Sequence, residues 1–245
     1  MYKPVCVIYD NKIKDNIKIV QITDLHGAKF GLNNSFLLNK IDKEKPDIVV
    51  VTGDMYTYGS ETGKKVAADL MKRLTRKYKT YYVNGEHDNN EEFKKELLKN
   101  NVHVMDYKKE NLKFGDTEIC LYGINTVNYS STYDLNNEFK INDEKYNILL
   151  AHIENKKAFT DFGIDLSICG DTHGGQVRLP LLGEIYDNSS GRLFEEKINC
   201  ETFVKGLYEY NGKKIFVSSG LGNYPIPVRL FNRPEIAVIK LCEKQ

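Results

Sequence analysis

Short apolar runs recur along the chain, and most of them stop abruptly at a polar cluster. Ile17-Lys18-Ile19-Val20-Gln21-Ile22 leads into Thr23-Asp24-Leu25-His26-Gly27, and Asp47-Ile48-Val49-Val50-Val51 into Thr52-Gly53-Asp54. Thr80-Tyr81-Tyr82-Val83 leads into Asn84-Gly85-Glu86-His87-Asp88, Tyr146–Leu150 into Ala151-His152, and Asp165–Ile168 into Cys169-Gly170-Asp171-Thr172-His173. Continuous apolar runs of this length predict strands buried on both faces. Between the early strands the period changes to that of a helix. Asn33-Asn34-Ser35 offers a cap for a helix carrying Phe36, Leu37, Leu38 and Ile41, ended by Pro46. Thr62 to Lys77 is amphipathic, Glu91 to Lys99 uses Phe93, Leu97 and Leu98, and Lys156–Phe162 is a weaker helical stretch.

The order β-α-β-α-β-α up to Lys99 predicts parallel strands joined by right-handed crossovers. After Val102 the helices thin out. Strands are predicted at Val102–Met105, Asn111–Phe114, Glu118–Ile124, Phe203–Tyr208, Lys214–Ser218 and Glu235–Leu241, and a first one at Pro4–Ile8. The expected fold is α/β: two packed sheets with helices outside and a mixed or antiparallel second half. With no repeat and no linker, residues 1–245 are expected to form one domain.

Composition changes this picture little. A net charge of +1 argues against a large basic nucleic-acid face. Cys6, Cys120, Cys169, Cys200 and Cys242 lack C-x-x-C spacing and read as reduced thiols. With no run near the ~20 apolar residues of a membrane span and no signal peptide, a cytoplasmic location is expected, or membrane association if an anchor precedes Met1.

The histidines change it a great deal. His26, His87, His152 and His173 all fall in polar clusters at predicted strand ends, whereas His103 lies within a strand and reads as structural. Ligands in α/β sheets bind beyond the carboxyl ends of the strands, so the clusters should converge on one rim. Mixed carboxylate and imidazole sets suit divalent ions, and two such ions can activate water and clamp an in-line displacement. No G-x-S-x-G elbow or G-x-x-x-x-G-K-[ST] loop offers a rival chemistry.

The ordered set Asp24-x-His26, Gly53-Asp54, Gly85-x-His87-Asp88, His152 and Gly170-x-x-His173-Gly174-Gly175-Gln176 resembles the calcineurin-like metallophosphoesterases. Gly-Gly-Gln-x-Arg-Leu-Pro and the tail Gly220-Leu221-Gly222…Pro227-Val228-Arg229…Arg233-Pro234-Glu235 resemble a bacterial branch of small phosphodiesterases and lipid-sugar pyrophosphatases, often membrane-associated. The resemblance implies a four-layer αββα sandwich and a metal-dependent phosphoesterase that cleaves a phosphodiester, phosphomonoester or pyrophosphate with a metal-bridged hydroxide. It implies that Asp24, His26 and His173 hold a first metal, that Asp54 bridges, and that His152 helps to hold a second. His87 would be the general acid. Arg178 is a candidate for steadying a phosphate oxygen.

Three positions depart from the family pattern. Glu86 stands where the family has Asn and Asp171 where it has His, both second-metal positions, and Thr57 replaces the Asp that orients the catalytic His. Asp88 is the remaining candidate for that orienting role. Carboxylates at Glu86 and Asp171 would retune the second site toward Mn²⁺, with Fe, Mg²⁺, Zn²⁺ or Ca²⁺ as alternatives. The competing reading is a weakened, metal-stabilised binding module. The expected partner is a small phosphorylated substrate, a lipid or nucleotide phosphoester among them. Asn125–Asn142 and Ser189–Asn199 are expected pocket walls, with Tyr129, Tyr133 and Tyr224 available to stack or hydrogen-bond.

Overall fold

A computed structural model of the chain describes residues 1–125, 134–179 and 203–244, together with the backbone of three short strand pieces between them. Among the described residues sixteen strands follow in chain order. They are β1 (Val5–Asp10), β2 (Ile17–Ile22), β3 (Ile48–Thr52), β4 (Lys79–Val83), β5 (His103–Val104), β6 (Lys108–Phe114), β7 (Thr117–Gly123), β8 (Tyr146–Leu150) and β9 (Leu166–Cys169). Then come the short β10 (Arg178–Leu179), β11 (Gly183–Glu184), β12 (Tyr186–Asp187) and β13 (Arg192–Leu193), and finally β14 (Gly206–Tyr210), β15 (Lys213–Val217) and β16 (Ala237–Glu243). The helices are α1 (Ser35–Glu44), α2 (Glu61–Leu74), α3 (Glu91–Lys99) and α4 (Lys156–Phe162).

Two six-stranded sheets form the body, in the orders β1-β16-β2-β3-β4-β5 and β14-β15-β9-β8-β7-β6. Both are mixed. β2, β3 and β4 run parallel, while β16 is antiparallel to β2 and parallel to β1. In the second sheet β7, β8, β9 and β15 run parallel, and β6 and β14 are antiparallel edges.

Alternation along each strand explains the layering. Ile19, Ile48, Val50 and Tyr81 of the first sheet meet Ile119, Leu121, Ile148 and Ile168 of the second in a shared core. The next residues along, Val20, Ile22, Val49 and Val51, face Leu37, Ile41, Leu70, Met71 and Phe93 of α1, α2 and α3. On the far side Tyr122 and Leu149 pack against Phe159 and Phe162 of α4. The result is the expected four layers, helix, sheet, sheet, helix.

Some boundaries differ from the sequence reading. Asn34 does not cap α1: it is left-handed, and its Oδ1 accepts the Phe30 amide at 2.8 Å. Ser60 caps α2 through the Gly63 amide, so that helix begins at Glu61 and stops at Leu74. β6 extends to Lys108 because an edge strand needs few apolar residues, and only Leu112 in it is buried. The strand expected at Phe203–Tyr208 begins at Gly206. Tyr129, Tyr133 and nearly all of Ser189–Asn199 lie outside the described residues.

Candidate metal centre

The carboxyl ends of β2, β3, β4, β8 and β9 bring their loops to one rim. Asp24, His26, Asp54, Asp171 and His173 all adopt the left-handed backbone region, with φ between 46° and 70°. Side chains that branch at such tight turns leave the strand at once and aim inward, at a cost in backbone strain. The loops interlock through backbone bonds: Asp24 N–H donates to Gly53 O at 3.0 Å, His26 N–H to Asp54 O at 3.0 Å, and Gly170 N–H to His152 O at 2.9 Å. Gly85 is required by closeness, since a Cβ there would sit 2.0 Å from Asp54 Oδ1.

Two facing sets of donors result. On one side His26 Nε2 and His173 Nε2 lie 3.2 Å apart, near the spacing of two nitrogens each ~2.1 Å from one ion. On the other side stands His152, whose Nδ1–H donates to Thr52 O at 2.6 Å, which leaves Nε2 bare for a ligand. The carboxylates sit between the two sets. Asp54 Oδ2 is 3.7 Å from His26 Nε2 and 3.4 Å from His152 Nε2. Asp24 Oδ1 is 3.7 Å from His173 Nε2 and 3.9 Å from His152 Nε2. Asp171 Oδ1 approaches His152 Nε2 at 3.7 Å, on the second side.

Burial makes this cluster electrostatically incomplete. Asp24 Oδ2 and His152 Nε2 are buried with no hydrogen-bond partner. Burial pushes the Asp24 carboxyl up to about 7, and Asp54 and Asp171 push in the same direction. Burial pushes His26 down to about 4, and burial together with His26 and Arg229 holds His173 well below the usual imidazole value. For His152 burial acts downward but is outweighed by Asp54, Asp24 and Asp171, which raise it well above that value. Burial likewise opposes the Asp54 charge, yet His152 and His26 keep its carboxyl well below the normal range. Neutral imidazoles at His26 and His173, and a His152 proton held in place only by crowded carboxylates, are a fit for divalent cations, which would displace that proton and supply the positive charge. Asp24-His26-His173, Asp24-Asp54-His152 and His26-Asp54-His87 each place their donor atoms within 4.8 Å of one another.

The remaining predicted residues occupy distinct places. His87 is half-buried, its backbone N–H donates to Asp54 Oδ1 at 2.9 Å, and its Nδ1 accepts the Tyr58 amide at 3.2 Å. Glu86 is exposed, and its carboxylate is in none of the converging groups. The buried Asp88 carboxylate accepts the amides of Met55 at 2.8 Å and Gly85 at 2.7 Å, binding the β3 loop to the β4 loop. Thr57 touches His26, with Oγ1 3.1 Å from Nδ1. Arg178 donates to Gly174 O at 3.0 Å within its own loop.

Two further residues belong here. Arg229 donates to Gly222 O and to His173 O, at 2.6 and 3.2 Å, and so ties the C-terminal loop to the loop that carries His173. Its place in Pro227-Val228-Arg229 was the available signal in the sequence. Tyr224 stacks on His26 with ring centroids 4.9 Å apart, and His26 stacks in turn on His173 at 5.0 Å.

Two mixed sheets between helices, with aspartates and histidines converging at the strand ends, define a metallophosphoesterase-type sandwich. The profile of the calcineurin-like phosphoesterases matches residues 17–175, and the chain belongs to that family. It is 27% identical over 240 residues to the uncharacterized metallophosphoesterase YkuE of Bacillus subtilis, covering 93% of this chain and 79% of the relative. It is 29% identical to a Campylobacter jejuni metallophosphoesterase, covering 95% of this chain but 61% of that protein. The phosphodiesterase YaeI of Escherichia coli is 25% identical over 93% of this chain and 84% of its own length. Among solved structures, the NAD nucleotidase of Haemophilus influenzae shares the fold, with a TM-score of 0.50 at 20% identity over 83% of this chain and 44% of the larger protein. Among the described residues no helix is long and apolar enough to cross a membrane.

Proposed function

We propose that the chain hydrolyses phosphoester bonds of small phosphorylated molecules, using two divalent ions held by this rim. The observation that carries the reading is the pair of orphaned buried atoms, Asp24 Oδ2 and His152 Nε2, in one cluster with Asp54. Asp24, His26 and His173 with Asp54 would hold one ion, and Asp54, His152 and Asp171 the other, with Glu86 able to join it only by swinging in from solvent. Carboxylate-rich surroundings favour Mn²⁺ at the second position. Bound divalent ions supply an activated water and draw charge from the phosphoryl oxygens.

His87 would protonate the departing oxygen. In the neutral ring Nδ1 accepts the Tyr58 amide and the proton sits on Nε2; to act as an acid the ring would take up a second proton and become an imidazolium, which would release the Tyr58 amide from Nδ1. As the phosphorus–oxygen bond breaks, the electron pair goes to the leaving oxygen, which takes a proton from the imidazolium; the ring returns to its neutral form and regains the second proton from solvent. Lipid and nucleotide phosphoesters are the substrate classes to be screened. The likeness to a phosphodiesterase supports starting with diesters.

The test is hydrolysis of bis(p-nitrophenyl) phosphate with added Mn²⁺, in parallel with Asp54→Asn. Asp54 lies between both donor sets, so its loss should lower kcat by at least about a hundredfold, on the scale of lost charge stabilisation at a reacting phosphate. Activity surviving unchanged in that variant would overturn the bridging assignment, and no activity in either protein would favour a binding module.

A further inference from the structure

The Tyr224 ring does more than line the rim. It lies parallel to His26 at 16° and meets His87 at 74°, with centroids 4.3 Å apart. His26 meets the same ring of His87 at 77° and 5.1 Å. His87 therefore stands upright against a wall made of two stacked rings.

That wall is held firmly. Leu221 and Gly222 amides donate to the carbonyls of Thr23 and Asp24, at 3.1 and 2.6 Å, within the loop that carries His26. Arg229 Nε donates to Gly222 O at 2.9 Å, Asn223 Nδ2 to Pro227 O at 3.0 Å, and Gln176 Nε2 to Val228 O at 3.1 Å. Tyr224 is 36% exposed, so one part of it packs on the histidines while another meets solvent. The family's orienting Asp is Thr57 here, and it serves His26. His87 is left with one side-chain hydrogen bond among those described, to a backbone amide at 3.2 Å. A single bond to one ring nitrogen fixes direction along its axis but leaves rotation about it free. A perpendicular aromatic contact removes that freedom.

We infer that Tyr224 is a positioning residue for His87, taking over by ring contact the alignment of the proton donor that a carboxylate would otherwise provide. The inference rests on the reading of His87 as general acid. Alignment of a donor matters most when the leaving group is a poor one, because a strongly basic departing oxygen needs its proton in the transition state and a nitrophenolate hardly does.

The test uses the Mn²⁺-loaded protein and diesters with graded leaving groups, from nitrophenyl to alkyl. Tyr224→Leu should slow alkyl esters about tenfold more than nitrophenyl esters, on the scale of one lost aromatic contact. Tyr224→Phe, which keeps the ring, should restore the alkyl rates. His87→Ala should give a steeper dependence of the same sign. Metal content is measured alongside, and Tyr224→Met replaces the leucine variant if that fails to fold. An equal slowing of all esters by Tyr224→Leu, or a loss of metal with the leaving-group dependence intact, would overturn the role given to Tyr224 while leaving that of His87 standing. An unchanged dependence in His87→Ala would overturn both.

Discussion

Asp171 would be a second-site ligand on the reading proposed above, a carboxylate where the family resemblance implies an imidazole. Its carboxylate stands 3.7 Å from His152 Nε2, the nitrogen that Asp54 and Asp24 also approach. Replacing an imidazole by an anionic oxygen at that point makes the second donor set harder and more negative. Asp171→His should shift activation from Mn²⁺ or Mg²⁺ toward Zn²⁺ or Co²⁺ by about tenfold in relative kcat/KM, read from metal titrations of the apoprotein; an unaltered metal ranking would refute the retuning. Asp24, His26, Asp54, His152 and His173 were legible in the sequence because each follows an apolar run directly. Glu86 and Asp88 show the limit of that signal. Adjacent residues on a turn point in different directions, and spacing alone does not say that Asp88 faces inward to two amides while Glu86 faces water. Arg229 was harder still, since its contacts with Gly222 and His173 depend on two distant loops meeting.

Strands β8 and β9 lead into rim residues at one end and are fastened at the other. At the start of β9, Asp165 accepts Lys213 Nζ at 2.7 Å, the Asn147 amide at 2.9 Å and Lys12 Nζ at 3.0 Å, joining three strands' ends at once. Burial opposes its charge, but Lys213, the Asn147 amide and Lys12 outweigh burial and hold the carboxyl below the usual range. A depressed carboxyl stabilises the fold above its unfolded-state value and loses that contribution as pH falls through the folded value. Asp165→Asn should therefore cost about 2 kcal/mol at pH 7 and progressively less below about pH 4, as charged hydrogen bonds at a buried site would. Denaturant melts of both proteins from pH 7 to pH 3 check this; a pH-independent difference would rule it out. At this scale periodicity served well for strands buried on both faces and poorly for edges and caps. Asn34 looked like a cap by type, but its side chain is taken by Phe30, and a polar edge such as β6 carries little apolar signal.

For the whole molecule, the β-α-β-α-β order foretold the parallel β2-β3-β4 core, because crossover chirality leaves few alternatives. The same rule was silent about β16, which returns from the far end of the chain to lie between β1 and β2. A pairing between segments so distant leaves no local trace. The convergence of the strand-end loops on one rim, by contrast, was foreseen from the strand order, because the carboxyl ends of neighbouring parallel strands share an edge.

The left-handed backbone at Asp24, His26, Asp54, Asp171 and His173 carries a consequence for how such a protein varies. Glycine is the residue most at ease in that conformation, and each of these positions holds something else. Folding alone would favour drift toward glycine here, and only the work of the rim opposes it. At the most accessible of the five, Asp171→Gly should raise the melting temperature of chelator-treated protein by ~2–4 °C, for up to about 1 kcal/mol of relieved strain and like-charge crowding, while lowering the melting temperature reached with saturating Mn²⁺. A variant less stable under both conditions would refute this. If the outcome holds, inactive descendants of this chain would be sturdier when empty than their active parent, and robustness would be a poor guide to which copies still work.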